Sequence, residues 1–341
     1  MTLQENELIK IRRDLHQIPE IGLEEYETSD YLLKIINGLP QENLEIKRWK
    51  TAILVHLNGE NKNYTIGYRT DIDGLPVEEK TGLPFSSKHE GRMHACGHDI
   101  HMTVALGVLS YFASHRPKYN MTFIFQPAEE NASGGMKLYQ SGELDEWMPD
   151  EIYALHDNPQ LPAGTIGCRK GTLFAGTCEI HVKFIGKSGH AAYPHQANDM
   201  VVAGAQFVNQ IQTIVSRNVD PIQSGVVTLG HFSAGTTGNV ISGVCQIDGT
   251  IRALTQENNL LIQKRVRTIA EGIAHSFDCE LEIDLHQGGY YPVENDDNTT
   301  EAFINYMKNE DDVDFVETLP AMTGEDFGYL ISKIPGTMFW L

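Results

Sequence analysis

The feature that most restricts the fold of this chain is an alternation of amphipathic helical segments with short apolar runs near its start. Residues 5–17 and 24–37 repeat apolar side chains at helical spacing, and a further helix is predicted at about 100–115. Short apolar runs predict buried strands at residues 64–68, 121–125 and 152–155. This alternation predicts an α/β domain with a mixed, mostly parallel sheet flanked by helices.

The middle of the chain follows a different pattern. Polar and apolar residues alternate strictly from Thr177 to Phe184, which is typical of a strand with one buried face. The predicted elements then run strand, helix, strand, strand, helix, strand: 177–184, 199–217, 225–232, 244–254, 256–277 and 279–286. This ferredoxin-like order predicts a compact second domain over residues 173–288, inserted into a first domain of residues 1–172 and 289–341.

The α/β pattern resumes after the inserted segment, with helices predicted at 298–309 and 325–333. Residues 336–341 form an apolar strand, whereas chains usually finish on a solvated tail. We therefore expect further residues to follow Leu341 in the complete protein.

One thiol and three imidazoles occupy residues 93–101, Met-His-Ala-Cys-Gly-His-Asp-Ile-His. Cys96 and His98 belong to this cluster, and the adjacent carboxylates Glu129 and Glu130 follow a later predicted strand. Thiolate, imidazole and carboxylate are ligand types of a borderline divalent ion such as zinc, manganese or cobalt. The cluster therefore predicts a metal centre. The alternatives are a buried thiol beside a core histidine, and a closed structural zinc site, although the latter favours thiolates and imidazoles over carboxylates.

Four polar candidates follow directly after predicted strands: Asp71, Glu129, Glu130 and His156. Because ligands of α/β proteins bind beyond the carboxyl ends of the strands, we expect these side chains to share one edge of the sheet. The paired glutamates also have a chemical rationale, since one carboxylate can bind metal while its neighbour accepts a proton from water. A solvated turn is the alternative for the pair.

Further residues near the cluster are candidates for supporting it. Asp71, the second candidate catalytic residue beside Glu129, and Asp99 are predicted to orient ligand imidazoles, with an ordinary turn position as the alternative for both. His94 and His101 are interpreted as supporting residues, because only some of the neighbouring groups can face one ion.

Three residues of the inserted segment are candidate functional residues. His190 lies in a glycine-flanked loop, Asn239 in Thr-Gly-Asn-Val-Ile, and Arg252 in Gly-Thr-Ile-Arg. Each also has an ordinary interpretation, as a loop histidine, a turn asparagine and a surface arginine. Alternation with Ile247 and Ile251 predicts that Arg252 points away from the core.

Composition and charge exclude several classes of partner. The 341 residues include 46 acidic and 26 basic side chains, and the net charge of −20 disfavours nucleic acid and anionic membranes. Five cysteines, scattered and odd in number, are unlike a disulfide-linked secreted scaffold. The sequence shows neither a signal peptide nor an apolar run long enough to span a membrane. We therefore expect a cytoplasmic protein that acts on a small molecule.

The motifs resemble those of one family. The segments 94–99 (His-Ala-Cys-Gly-His-Asp), 126–130 (Gln-Pro-Ala-Glu-Glu), 155–156 (Leu-His), 189–195, 239–241 and 324–327 (Gly-Glu-Asp-Phe) resemble, in this order, the M20 metallopeptidases, specifically their amidohydrolase branch. The resemblance covers essentially the whole chain. It implies a site with two divalent metal ions, for which the ligand types admit manganese, zinc, cobalt or nickel.

The resemblance also implies the roles of the metal-site residues. Cys96 would bridge the two metals, His98 and His156 would complete one, and Glu130 would serve the other. Glu129 would be the general base. The last metal-binding histidine of the family follows the position of Leu341, so we expect the Glu130 metal to lack one protein ligand in this chain.

For the inserted segment the resemblance implies substrate contacts. His190, Asn239 and Arg252 match such positions, with His190 often reaching the site of a neighbouring subunit and Arg252 holding a carboxylate. Exposed strand edges in this segment predict a homodimer or higher homo-oligomer.

The activity implied by the resemblance is hydrolysis of an N-acyl amino acid. Residues 11–20, 190–195 and 321–329 are most similar to branch members that deacetylate N-acetyl-L,L-2,6-diaminopimelate in lysine biosynthesis. Another N-acyl amino acid, such as hippurate or acetyl-ornithine, is the alternative substrate. A catalytically silent protein that binds metal or ligand is the alternative class.

Overall fold

A computed structural model describes residues 2–341, which form two compact units. The first unit comprises the chain up to Leu173 together with Val293–Leu319 and Glu325–Leu341. The second comprises Phe174–Pro292 and Pro320–Gly324. No helix within residues 2–341 combines the length and the apolar character needed to cross a bilayer.

The secondary structure comprises the following elements in chain order. The helices are α1 (Glu5–His16), α2 (Tyr26–Asn37), α3 (His98–Ser114), α4 (Glu129–Ala132), α5 (Gly134–Gln140), α6 (Met200–Ile211), α7 (Thr213–Arg217), α8 (Gln256–Ser276), α9 (Asp297–Met307) and α10 (Phe327–Ile331). The strands are β1 (Leu44–Trp49), β2 (Ala52–Leu57), β3 (Asn61–Asp71), β4 (Tyr119–Gln126), β5 (Glu151–His156), β6 (Thr165–Cys168), β7 (Gly171–Phe174), β8 (Gly176–Ile185), β9 (Gly189–His190), β10 (Gly225–Ala234), β11 (Val240–Ile241), β12 (Val244–Ala253), β13 (Glu280–His286), β14 (Val293–Asn295), β15 (Asp314–Glu317) and β16 (Gly336–Trp340).

The first unit is built around an eight-stranded sheet in the order β1-β2-β4-β3-β5-β16-β6-β15. Its centre is parallel, since β3 pairs in parallel with β4 and β5, and β5 with β16. Buried apolar residues of α1, α2 and α3, among them Leu15, Leu32 and Leu106, pack with Phe123 of β4 in one core. The predicted α/β fold with a mostly parallel, mixed sheet flanked by helices is confirmed.

The second unit contains a four-stranded antiparallel sheet in the order β10-β12-β8-β13. Cys178, Ile180, Val182 and Phe184 of β8 are buried, as the strict alternation predicts. They share one core with apolar residues of α6 and α8, such as Phe207. The predicted ferredoxin-like order of strands and helices is therefore present.

The hairpin β1–β2 had no counterpart in the sequence prediction. All six residues of β2 are buried, and a short continuous apolar run of this kind is compatible with either a strand or a helix segment. β1 carries Glu45, Lys47 and Arg48 at the edge of the sheet, which weakens the apolar signal further. The helix predicted at 199–217 is divided into α6 and α7.

Candidate active site

Parallel strands bring most of the predicted site residues to one edge of the first unit's sheet. β3 ends at Asp71 and β5 at His156, and α4 begins at Glu129, shortly after the end of β4. Because these three strands are parallel neighbours, their carboxyl ends lie at the same edge. The structure thus groups Asp71, Glu129, Glu130 and His156 around the first turn of α3.

Gly97 shapes the turn that carries Cys96 and His98. Its φ of 82° lies in the left-handed region, and a Cβ atom there would lie 2.0 Å from Asp157 Oδ1, so only glycine fits. Helix α3 begins at the next residue. On the other side of Gly97, Cys96 Sγ lies 3.5 Å from His156 Nε2.

Backbone carbonyls fix the rings of both histidines. His98 Nδ1 lies 2.9 Å from the carbonyl oxygen of Asp73, and His156 Nδ1 lies 2.8 Å from that of Asp157. Since a carbonyl oxygen accepts a hydrogen bond, Nδ1 carries a proton in each ring, and Nε2 is the ring atom left to face the other donor atoms. Histidines held in this way are typical metal ligands.

Several buried polar atoms at this edge have no hydrogen-bond partner within residues 2–341. Among them are His98 Nε2 and Glu130 Oε1, which lie 3.8 Å apart. Unpaired buried polar atoms are rare because they are costly. The donor atoms of Cys96, His98 and His156 lie within 4.8 Å of one another, and so do those of His98, Glu129 and Glu130. These residues therefore fit a divalent metal centre.

The ionisation of two candidate ligands, Cys96 and Glu130, is also compatible with a bound cation. Burial alone would raise the pKa of the Cys96 thiol, but the neighbouring rings of His156 and His98 lower it to about 6, so the thiolate form is favoured at neutral pH. Burial raises the pKa of Glu130 to about 8, against the opposing effect of His98. A nearby cation favours the ionised form of both groups.

Glu129 is 5% exposed and lies among like charges. Burial raises the pKa of its carboxyl well above the usual range, and Glu325, Asp326 and Glu130 raise it further. Its Oε1 accepts a hydrogen bond from the backbone N–H of Asp326 at 3.3 Å. A carboxyl group with a raised pKa beside metal-ligand candidates is suited to general acid–base chemistry.

A buried arginine lies within this acidic group, and sequence reasoning missed it. Arg69 is 1% exposed, and its guanidinium lies 2.7 Å from Asp71 Oδ2, 2.9 Å from Glu325 Oε1 and 2.7 Å from Asp326 Oδ1. One cation thus offsets three carboxylates. The available signal was that Arg69 and Asp71, two positions apart, directly follow the strand predicted at residues 64–68. An extension of that strand to Asp71, as in β3, puts both side chains on one face.

Asp71 is fully buried and contacts two histidines. Its Oδ1 lies 2.7 Å from His101 Nδ1 and 3.7 Å from His98 Nδ1. His101 Nε2 in turn lies 3.0 Å from Asp157 Oδ1, so its ring is held between two carboxylates. Asp157, which was not among the candidates chosen from the sequence, therefore belongs to the site.

Asp99 does not orient a ligand histidine, and that prediction was wrong. Its Oδ2 lies 2.7 Å from His16 Nδ1 and 2.9 Å from Arg12 Nε. Successive helix residues point about 100° apart, so on α3 the side chain of Asp99 leaves the face of His98 and meets α1. His94 is buried, which lowers its pKa to about 4, and neither ring nitrogen has a hydrogen-bond partner in the described part of the chain.

The other three candidates lie in the second unit. His190 pairs with Val240 in the short ladder of β9 and β11, and the carbonyl of Asn239 accepts a hydrogen bond from the N–H of Ala191 at 3.2 Å. His190 and Asn239 are thus close together. Arg252 is half-buried near the end of β12, where its guanidinium donates to the carbonyl of Ile251 at 3.0 Å.

Comparison with known proteins places the chain among the metal-dependent hydrolases. It belongs to peptidase family M20/M25/M40, whose sequence profile matches residues 67–341. An N-acetyldiaminopimelate deacetylase of Lactiplantibacillus plantarum is 70% identical over 345 residues, which span 100% of this chain and 90% of the relative. One of Streptococcus uberis is 59% identical over 337 residues, 98% of this chain and 90% of the relative.

Solved structures share the fold. A Staphylococcus aureus protein assigned to the aminohydrolases matches with a TM-score of 0.91 and 32% identity, over 98% of this chain and 86% of its own. A Bacillus subtilis protein described as a dinuclear metal-binding peptidase of the M20 family matches with a TM-score of 0.83 and 32% identity, over 98% and 88% of the two chains.

Proposed function

We propose that the chain hydrolyses N-acetyl-L,L-2,6-diaminopimelate to acetate and L,L-diaminopimelate, a step of lysine biosynthesis. The relatives that are 70% and 59% identical are named for this deacetylation. The structural observation that carries the proposal is the buried carboxyl of Glu129 beside a group of sulfur, nitrogen and oxygen donors.

We assign the metal ligands to Cys96, His98, Glu130 and His156, which together would hold two divalent ions of manganese, zinc, cobalt or nickel. When bound, such ions polarise the amide carbonyl and make a water molecule more acidic. The description of the Bacillus subtilis relative as dinuclear supports the number of ions.

Glu129 is the proposed general base. Its carboxylate accepts a proton from the attacking water as the water oxygen bonds to the acetyl carbon. The carboxyl then delivers this proton to the amine nitrogen as the C–N bond breaks. The acid that forms passes its own proton to the amine, which leaves acetate and an ammonium group. The raised pKa of Glu129 supports this role, because the group must keep the proton between the two steps. Asp71, the second residue assigned to catalysis, would act by holding His101 and His98.

We further propose a catalytic domain of residues 1–172 and 289–341, and a lid and dimerisation domain of residues 173–288. Arg252 would pair with a carboxylate of the substrate, and His190 and Asn239 would contact it by hydrogen bonds. Strand β10 is an edge strand with exposed Val226 and Phe232, which favours a homodimer through this domain. Five free cysteines favour a cytoplasmic location.

The direct test is acetate release by the purified protein from N-acetyl-L,L-diaminopimelate, compared with release of the acyl group from hippurate and acetyl-ornithine. We expect kcat/KM for the first to be at least about tenfold higher, with activity lost on chelation and restored by divalent metal. Equal or faster turnover of either competitor would contradict the substrate. Failure of the metal-loaded protein to cleave any of the three amides would contradict the hydrolase assignment.

A further inference from the structure

The backbone on either side of Glu129 has an unusual conformation. Ala128 and Ser133 flank the four-residue helix α4, and both lie in the left-handed region, with φ of 56° and 51°. Residues other than glycine seldom adopt this conformation. A single helical turn is also unstable by itself. Other groups in the unit must therefore hold residues 127–134 in place.

Two buried carboxylates bind the backbone amides that bracket Glu129. The N–H of Ala128 donates to Glu25 Oε1 at 2.8 Å, and the N–H of Glu130 donates to Asp73 Oδ2 at 3.0 Å. Glu25 and Asp73 are both 0% exposed. Breaking either hydrogen bond would leave a buried donor and a buried acceptor without partners, which is costly. Glu129 is thus held in place through the backbone amides of the residues before and after it.

The carboxylate of Glu25 is itself held from a second direction. Thr51 Oγ1 donates to Glu25 Oε2 at 2.6 Å. The segment before α2 also packs directly on this turn, since a Cβ atom at Gly22 would lie 2.4 Å from Asn131 Oδ1 and 2.7 Å from Ala128 Cα. Glu25 therefore links the N-terminal part of the chain to the backbone of α4.

Glu25 does not cap the helix that it precedes. Its side chain makes no cap hydrogen bond to α2. A second buried glutamate, Glu20, binds that helix start, accepting hydrogen bonds from the N–H groups of Glu27 at 3.2 Å and Thr28 at 2.8 Å. The two buried carboxylates, five positions apart, thus bind different elements: Glu20 binds the start of α2, and Glu25 binds the Ala128 amide beside α4.

We infer that Glu25 is a positioning residue for catalysis: its carboxylate holds Ala128 in the left-handed conformation and thereby aims the side chain of Glu129. The inference depends on the proposed role of Glu129 as general base. Because Glu25 is 0% exposed, it would act through the backbone of α4 and not by contact with a substrate.

Three substitutions at this position separate geometry from charge. Glu25→Ala removes the acceptor. Glu25→Gln keeps a carbonyl for Ala128 and offers an N–H to Thr51, whose hydroxyl can rotate to accept it. Glu25→Asp keeps the charge but shortens the reach by one methylene. Glu20→Ala is the matched control, because it also removes a buried carboxylate from backbone amides but leaves α4 untouched.

Hydrogen exchange of the metal-free protein reports on positioning without any turnover. We expect the amides of residues 128–131 to exchange at least about tenfold faster in Glu25→Ala and Glu25→Asp than in the parent, and within about twofold of it in Glu25→Gln. Glu20→Ala should leave this segment unchanged and accelerate exchange only at the start of α2.

Steady-state kinetics then connect this position to the reaction. A displacement of about 1 Å can reduce the rate about 100-fold, so we expect kcat of Glu25→Ala to fall about 10- to 100-fold, with KM changed less than about threefold. Glu25→Gln should recover most of kcat, and Glu20→Ala should keep it within about twofold despite lower thermal stability.

Two results would overturn the inference. One is parent-like exchange of residues 128–131 in both Glu25→Ala and Glu25→Asp. The other is loss of kcat in Glu20→Ala as large as that in Glu25→Ala, which would make the effect one of stability. If the parent protein cleaves no acetyl amide, the proposed function fails, whereas the exchange comparison still decides whether Glu25 holds the turn.

Discussion

The two units of the molecule differ in whether their charged side chains are buried. Within residues 2–341, every Asp, Glu, Arg or His side chain that is buried belongs to the first unit, whereas the buried polar residues of the second unit are Ser242, Asn258 and Asn259. The Asp, Glu, Lys, Arg and His side chains of the second unit's sheet, such as His181 and Lys183, are exposed or half-buried.

This difference shows that the first unit bears the free-energy cost of burying ionisable side chains. Burying an ionisable group is unfavourable unless it is paired, and the first unit pairs one guanidinium with three carboxylates around Glu129. The second unit needs no such compensation, because its polar sheet face remains hydrated. Substitutions of charged residues should therefore change kcat or the free energy of unfolding strongly in the first unit and weakly in the second.

The largest effect is expected at the base. Glu129→Gln should lower kcat about 10²- to 10⁴-fold, because the amide cannot accept the proton, while the metal content stays at the parent level. The matched control in the second unit is Glu282→Gln, an exposed carboxylate paired with Lys183. It should leave kcat unchanged. Retention of more than about a tenth of kcat by Glu129→Gln would refute its role as base.

The next effect concerns stability. Arg69→Met leaves three carboxylates without their cation and should lower the free energy of unfolding by about 3–5 kcal/mol. Lys183→Met breaks a solvent-exposed pair with Glu282 and should cost less than about 1 kcal/mol. Urea unfolding of both variants measures the difference. Equal destabilisation would mean that the buried charges are not mutually dependent.

A smaller difference is expected between the alkylation rates of two cysteines, one in each unit. Histidines lower the pKa of Cys96 to about 6 against the effect of burial, whereas burial raises the pKa of Cys279 in the second unit. As pH rises through about 6, Cys96 becomes a thiolate, while Cys279 stays protonated at neutral pH. Iodoacetamide should therefore alkylate Cys96 of the metal-free protein at least about tenfold faster at pH 7. A midpoint for Cys96 above pH 8 would contradict the proposed environment.

The same contrast explains what the sequence could predict. In the second unit one sheet face is solvated, so alternation along β8 gave the strand and its buried face directly. Cys96, His98 and the paired glutamates were identifiable because such residue types seldom occur together without a chemical use. The pairing of Arg69 with Glu325 and Asp326 could not be predicted from the sequence, because the partners are more than 250 positions apart and no local pattern indicates it. Glu25 gave no signal for the same reason.

The central claim is that Cys96, His98, His156 and Glu130 hold divalent metal. Cobalt(II) substitution tests it most directly, because a cysteine thiolate bound to cobalt gives a charge-transfer absorption in the near ultraviolet. The parent and Cys279→Ser should show this band on titration with cobalt, and Cys96→Ser should lack it. A band that persists in Cys96→Ser, or a parent protein without one, would contradict the account.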